Sequence, residues 1–126
     1  MTGGRVLIVD DNAVNLKLAQ VTLRVEGYDV RVAADAVEAL ATIGSFSPQL
    51  ILMDIQLPGI DGLELTRRLK ADQVTHDIII LALTAYAMKG DEERMLAAGC
   101  DGYIPKPIDT QTLPAIVAGY LNGSRS

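Results

Sequence analysis

Three short stretches in which almost every position is apolar stand out along the chain: Val6 to Val9, Leu50 to Met53 and Ile78 to Leu83. Runs of this length, two of them rich in β-branched residues, predict strands buried on both faces. Asp29 to Ala33 alternates polar and apolar side chains, as a half-exposed edge strand does, and Gly102 to Ile104 supplies a shorter fifth strand. Between these lie segments of helical length: Ala13 to Glu26, Ala36 to Ile43, Gly62 to Lys70, Asp91 to Ala98 and Thr110 to Leu121. Gly27 and Gly99 stand where helix C-caps are wanted, and Asp35, Asp61 and Asp109 where N-caps are wanted. A strand followed by a helix, repeated along the chain, predicts an α/β fold: a doubly wound parallel sheet of five strands covered by five helices and joined by right-handed crossovers. The flavodoxin-like order 2-1-3-4-5 fits such a chain and makes the first and third strands neighbours at the switch point where ligands bind.

Composition narrows the function. A chain of 126 residues with 49% hydrophobic and 21% charged residues is expected to be one compact domain, spanning 1–126 with a core from about 5 to 122. Its short, small or polar ends lead us to expect no output domain, so that any output is reached by binding another protein. The net charge of -5 argues against direct binding of nucleic acid or acidic membranes, which depend on clustered Lys and Arg. Residues Met1 to Val9 lack the pattern of a signal peptide, and no apolar run approaches the roughly 18 residues of a membrane span. A cytoplasmic protein without membrane insertion is expected. Cys100 is the single cysteine, so an internal disulfide or a cysteine-rich metal site is excluded, and it reads as a small buried hydrophobe.

What ends each strand carries the chemistry. Asp10 and Asp11 follow the first strand, Asp54 the third, Thr84 the fourth and Lys106 the fifth. In the order 2-1-3-4-5 the ends of the first and third strands are roughly 5 Å apart, so these carboxylates converge beside a hydroxyl and an ammonium. Two like charges about 4 Å apart repel by roughly 4 kcal/mol at an effective dielectric of 20, so the cluster needs counter-charge. A divalent cation together with Lys106 supplies it, and oxygen donors without His or Cys favour Mg2+ or Mn2+ over zinc. An aspartate held in line with a metal-bound phosphoryl donor can form an acyl phosphate, because the transfer is mostly positioning and charge neutralisation. Asp54 is the expected phosphoacceptor. Asp11 is expected to ligate the metal directly, Asp10 directly or through water, and the turn Gln56-Leu57-Pro58-Gly59 to bring the Gln56 backbone carbonyl to it. Lys106 would pair with the phosphoryl oxygens, and Thr84 would donate a hydrogen bond to one of them.

These residues carry a resemblance. Val9-Asp10-Asp11-Asn12, Met53-Asp54 with Pro58 and Asp61-Gly62, Thr84-Ala85 and Lys106-Pro107 resemble the response-regulator receiver family over essentially the whole chain. The stretches Ile51 to Pro58 and Ala87 to Arg94 look most like the single-domain DivK type, with receivers of hybrid histidine kinases next. The resemblance implies phosphoryl transfer from a phosphohistidine on a histidine kinase or phosphotransfer protein to Asp54, with Mg2+ required. It also implies a phosphoprotein of a two-component or phosphorelay system that helps to hydrolyse its own acyl phosphate, a signalling module rather than an enzyme with an external substrate. Thr84 and Tyr103 would form the switch, acting on a protein effector through the fourth helix, fifth strand and fifth helix. A cis peptide between Lys106 and Pro107 would aim the lysine, and Gln56 and Tyr86 would tune dephosphorylation.

The first helix carries two apolar stripes, Val14, Leu18, Val21 and Val25 on one side and Leu16, Ala19 and Leu23 on another. One is expected to pack on the sheet, leaving Val14, Leu18 and Val21, with Pro107, to dock the phosphodonor. His76 reads as a solvated loop residue, and Met88 and Met95 as core. Two other functions remain open on the residues alone: a metal-dependent phosphatase acting through the same aspartyl intermediate, and a receiver-like adaptor that binds partners without phosphorylation.

Overall fold

The computed structural model describes residues 4–57, 61–85 and 89–122; Pro58, Gly59, Tyr86 and Met88 lie outside the described residues. The elements are β1 (Arg5–Val9), α1 (Ala13–Val25), β2 (Asp29–Ala33), α2 (Ala36–Phe46), β3 (Leu50–Asp54), α3 (Gly62–Ala71), β4 (Ile79–Thr84), α4 (Lys89–Ala98), β5 (Gly102–Pro105) and α5 (Leu113–Leu121). The strands form one parallel sheet in the order β2-β1-β3-β4-β5.

Alternation along each strand splits the core in two, because successive side chains point to opposite faces. Leu7, Val9, Ile51, Met53, Ile80 and Ala82 face α2, α3 and α4, meeting Ala39, Leu65 and Met95 among others. Val6, Ile8, Leu50, Leu52, Leu81 and Leu83 face α1 and α5, meeting Ala19, Leu23, Leu113 and Val117. This is why the central strands read as unbroken apolar runs: both faces are covered. Lys70 fastens the end of α3 to the sheet. Its ammonium reaches Asp101 Oδ2 and the Ile78 carbonyl, each at 2.8 Å, and the same Asp101 oxygen accepts the Ile80 N–H at 2.9 Å.

Helix ends obey local chemistry, with one correction. Asp35 and Asp61 accept the N–H groups of Glu38 and Glu64, each at 2.8 Å, and Gly27 and Gly99 take φ of 96° and 103°, values that glycine adopts without the strain a Cβ would bring. Asp109 does not cap α5. Its Oδ1 turns onto the Gln111 N–H at 2.9 Å while its carbonyl accepts from Thr112 and Leu113, so residues 110–112 form a turn and Thr112 takes the N-cap position. A short acceptor next to its own backbone prefers such a local turn. α2 runs past Ile43 to Phe46, because Phe46 is buried and the Arg31 guanidinium lies 4.9 Å from its ring centroid; Ser47, at φ 52°, then ends the helix. β3, β4 and β5 each extend to include Asp54, Thr84 and Pro105, whose backbones keep pairing with neighbours beyond the apolar run. Among the described residues no helix is long and apolar enough to cross a membrane.

Candidate functional site

Strand register gathers the polar residues. Val9 pairs with Met53, Asp54 with Leu83, and Thr84 with Pro105, so the residues at these strand ends all emerge on one rim of the sheet. Backbone bonds fix them further: Asp10 N–H donates to Ala33 O at 3.1 Å, Ile55 N–H to Leu83 O at 3.2 Å, and Lys106 N–H to Thr84 O at 2.7 Å. The last of these couples the ammonium-bearing residue to the hydroxyl-bearing one through the main chain. The Lys106-Pro107 peptide bond is cis.

Carboxylate oxygens of Asp10, Asp11 and Asp54 lie within 4.8 Å of one another. Asp10 and Asp54 are buried, whereas Asp11 is exposed at the mouth. The Lys106 ammonium bridges the two buried groups, 3.2 Å from Asp10 Oδ2 and 3.3 Å from Asp54 Oδ2. Asp54 Oδ1 accepts the Gln56 N–H at 2.9 Å. Burial raises the Asp54 carboxyl above its usual range and the Asp10 charge adds to this, although the Gln56 N–H and the Lys106 ammonium pull the other way. The site therefore carries more negative charge than the protein neutralises. An all-oxygen donor set of this kind fits a hard divalent cation.

α3 closes the site from behind. Gly62 donates its N–H to Ile55 O at 3.2 Å, and a Cβ at position 62 would collide with the Asp54 carbonyl. Only glycine allows the helix to start so close to the strand that carries Asp54.

The geometry meets known proteins at this point. Residues 6–118 match the family model of the response regulator receiver domain. The chain belongs to this family. The receiver is 44% identical to the polar-differentiation response regulator DivK of Brucella ovis over 116 residues, covering 92% of this chain and 94% of that protein. It superposes on the chemotaxis response regulator CheY4 of Vibrio cholerae with a TM-score of 0.86 at 29% identity, covering 91% of this chain and 96% of that one. It matches equally well, with a TM-score of 0.86 at 36% identity over 96% of this chain and 99% of the other, the receiver domain of sensor histidine kinase PA1611 from Pseudomonas aeruginosa PAO1. That crystal structure has a magnesium ion coordinated in the active-site cleft.

The remaining expected residues of the receiver divide by location. Thr84 is buried at the end of β4. Tyr103, on β5, is 37% exposed and donates its hydroxyl to Glu92 Oε2 on α4 at 3.2 Å, which ties β5 to α4 and raises the phenol's pKa. Val14, Leu18, Val21 and Val25 form an exposed apolar stripe on α1, and Ala13, Val14, Lys17, Leu18 and Val21 line an open groove of about 470 Å³; Ala19 and Leu23 are buried against the sheet. Pro107 is exposed beside the cluster's lysine. Tyr86 and Met88 fall outside the described residues, while Met95 is core. His76 is a half-exposed loop residue with Nδ1 3.1 Å from Asp77, and Cys100 is buried with burial pushing its thiol up.

Two residues beside the aspartates carry more than their motif suggests. Asn12 caps α1 through its side chain and gives its N–H to Asp10 Oδ1 at 2.9 Å; Asn15 places its amide 3.4 Å from Asp10 Oδ2. An asparagine immediately before an apolar helical run is a legible N-cap signal. Nothing in one-dimensional spacing marks Asn15, because its partner depends on where the helix enters.

Proposed function

We propose that this receiver accepts a phosphoryl group on Asp54 from a phosphohistidine of a histidine kinase or phosphotransfer protein, and passes the signal to a protein effector in the cytoplasm. The convergence of Asp10, Asp11 and Asp54 around the Lys106 ammonium carries this reading. A carboxylate oxygen of Asp54 bonds to phosphorus as the phosphorus–nitrogen bond breaks and its electron pair returns to the imidazole, giving an acyl phosphate. Asp11, Asp54, Asp10 and the Gln56 carbonyl are the groups to hold Mg2+, with Mn2+ as a substitute. The bound cation supplies neutralising charge for the phosphoryl oxygens.

Lys106 is the ammonium that pairs with those oxygens, within reach because it already stands between Asp10 and Asp54. Thr84 donates its hydroxyl to one of them, and its displacement shifts Tyr103 and the α4-β5-α5 face. Gln56 and Tyr86 set the access of water to the acyl phosphate. The α1 groove, with Val14, Leu18 and Val21, receives an apolar helix of the phosphodonor, and Pro107 borders that contact.

Incubation with MgCl2 and acetyl phosphate tests the reading. Intact mass should rise by one phosphoryl group per chain, and the gain should vanish in Asp54→Asn and with EDTA. Continuous release of many phosphates per chain would identify a phosphatase, and no labelling at all would identify a phosphorylation-independent adaptor; either result overturns the proposal.

A further inference from the structure

Asp10 is fully enclosed, and both of its oxygens are engaged by the protein. Oδ1 accepts the Asn12 N–H at 2.9 Å, while Oδ2 faces the Lys106 ammonium at 3.2 Å and the Asn15 side-chain nitrogen at 3.4 Å. An ionised carboxylate only accepts, so the amide nitrogen of Asn15, not its oxygen, must face it. The two donors on Oδ2 differ in kind. Lys106 brings charge but is shared with Asp54, 3.3 Å away, on a long and flexible stem. Asn15 brings a neutral N–H on a short side chain, held on the first turn of α1. That turn is itself locked, because the Asn12 side-chain oxygen accepts the N–H groups of Val14 and Asn15 at 2.9 and 3.0 Å. Asn12 and Asn15 thus clamp the two oxygens of Asp10 from one rigid helix start.

A phosphoryl group on Asp54 draws the Lys106 ammonium towards its oxygens and away from Asp10. A buried carboxylate oxygen stripped of its donors is strongly unfavourable. Asn15 is a donor that stays behind. We propose that Asn15 is a positioning residue of the metal site, its amide fixing Asp10 Oδ2 so that this carboxylate keeps its orientation towards the cation whether or not Lys106 remains. This rests on the metal-binding reading given above. Hydrogen-bond partners of ligating groups alter metal affinity by about 10–100-fold.

Titration of MgCl2 into the phosphate-free protein by isothermal calorimetry tests it, with Asn15→Leu, which keeps bulk, and Asn15→Ala, which removes it. Both variants should bind Mg2+ about tenfold or more weakly than the parent, while their melting temperatures in EDTA stay within about 3 °C of it. Parent affinity in either variant overturns this inference alone. Weaker binding accompanied by a larger fall in metal-free melting temperature overturns it in favour of a purely structural role. A parent that takes up no Mg2+ overturns the metal site and this inference together.

Discussion

The Lys106 ammonium stands 3.3 Å from Asp54 Oδ2, yet Asp54 is still held above the usual carboxylate range, because burial outweighs the attraction. The charge state of this one side chain therefore opposes folding at neutral pH, and the site is poised to gain from any added positive charge.

Asp54→Asn should stabilise the domain. A carboxyl whose folded pKa lies above its unfolded value penalises folding at all pH values above the folded pKa, and the penalty is released as pH falls towards the unfolded pKa. Asn keeps the shape without the charge. We expect a melting temperature higher by about 3–5 °C at pH 7, the size of a ~1 kcal/mol change in a domain of this length. Thermal denaturation across pH should show the gap closing in the acid range.

Lys106→Met should do the reverse. Without the ammonium, Asp10 and Asp54 face each other in a buried site with less counter-charge. Breaking a fully buried pair is worth about 3–5 kcal/mol, and the partial exposure of Lys106 reduces the expectation to roughly 2 kcal/mol. Urea denaturation at pH 7 measures it. Part of the loss should be recovered on acidification, as the Asp54 carboxyl, already raised by burial, takes up a proton.

Asp11→Asn should separate metal binding from stability. It is exposed, and its carboxylate stands outside the Lys106 pairs. Asp11→Asn should change the melting temperature in EDTA by no more than about 2 °C, as a surface substitution does. Mg2+ at 100 times its dissociation constant stabilises a parent that binds it only when folded by about 2.7 kcal/mol. That shift should largely disappear in the variant.

Gly62→Ala should damage the fold and the site together. The added methyl would strike the Asp54 carbonyl, backbone that cannot turn aside as a flexible side chain does. We expect a loss of about 1–3 kcal/mol in urea denaturation, the range for overpacking a tight contact. Lower uptake of phosphoryl group from acetyl phosphate should accompany it, because the strand end that carries Asp54 must shift.

The helix stripe on α1 and the caps show how unevenly the chain discloses itself. Two apolar stripes were visible in the sequence; burial of Ala19 and Leu23 and exposure of Val14 at 73% and Val25 at 78% show that the stripe with Ala19 and Leu23 meets the sheet. Asp35 and Asp61 cap as their positions predict, while Asp109 turns onto Gln111 instead, since a side chain that can bond its own backbone chooses between nearly equal local options.

The order of apolar runs, the five strand-and-helix units and the placing of Asp10, Asp11, Asp54, Thr84 and Lys106 at strand ends were determined by the sequence alone, because side-chain periodicity and turn chemistry are properties of neighbours along the chain. The tertiary structure decided which carboxylates are enclosed and which stays open, how one ammonium comes to serve two of them, and that Asn15 reaches Asp10. Those relations depend on strand register, crossover and the angle at which α1 leaves the sheet, and electrostatic strength depends on the burial that such packing creates.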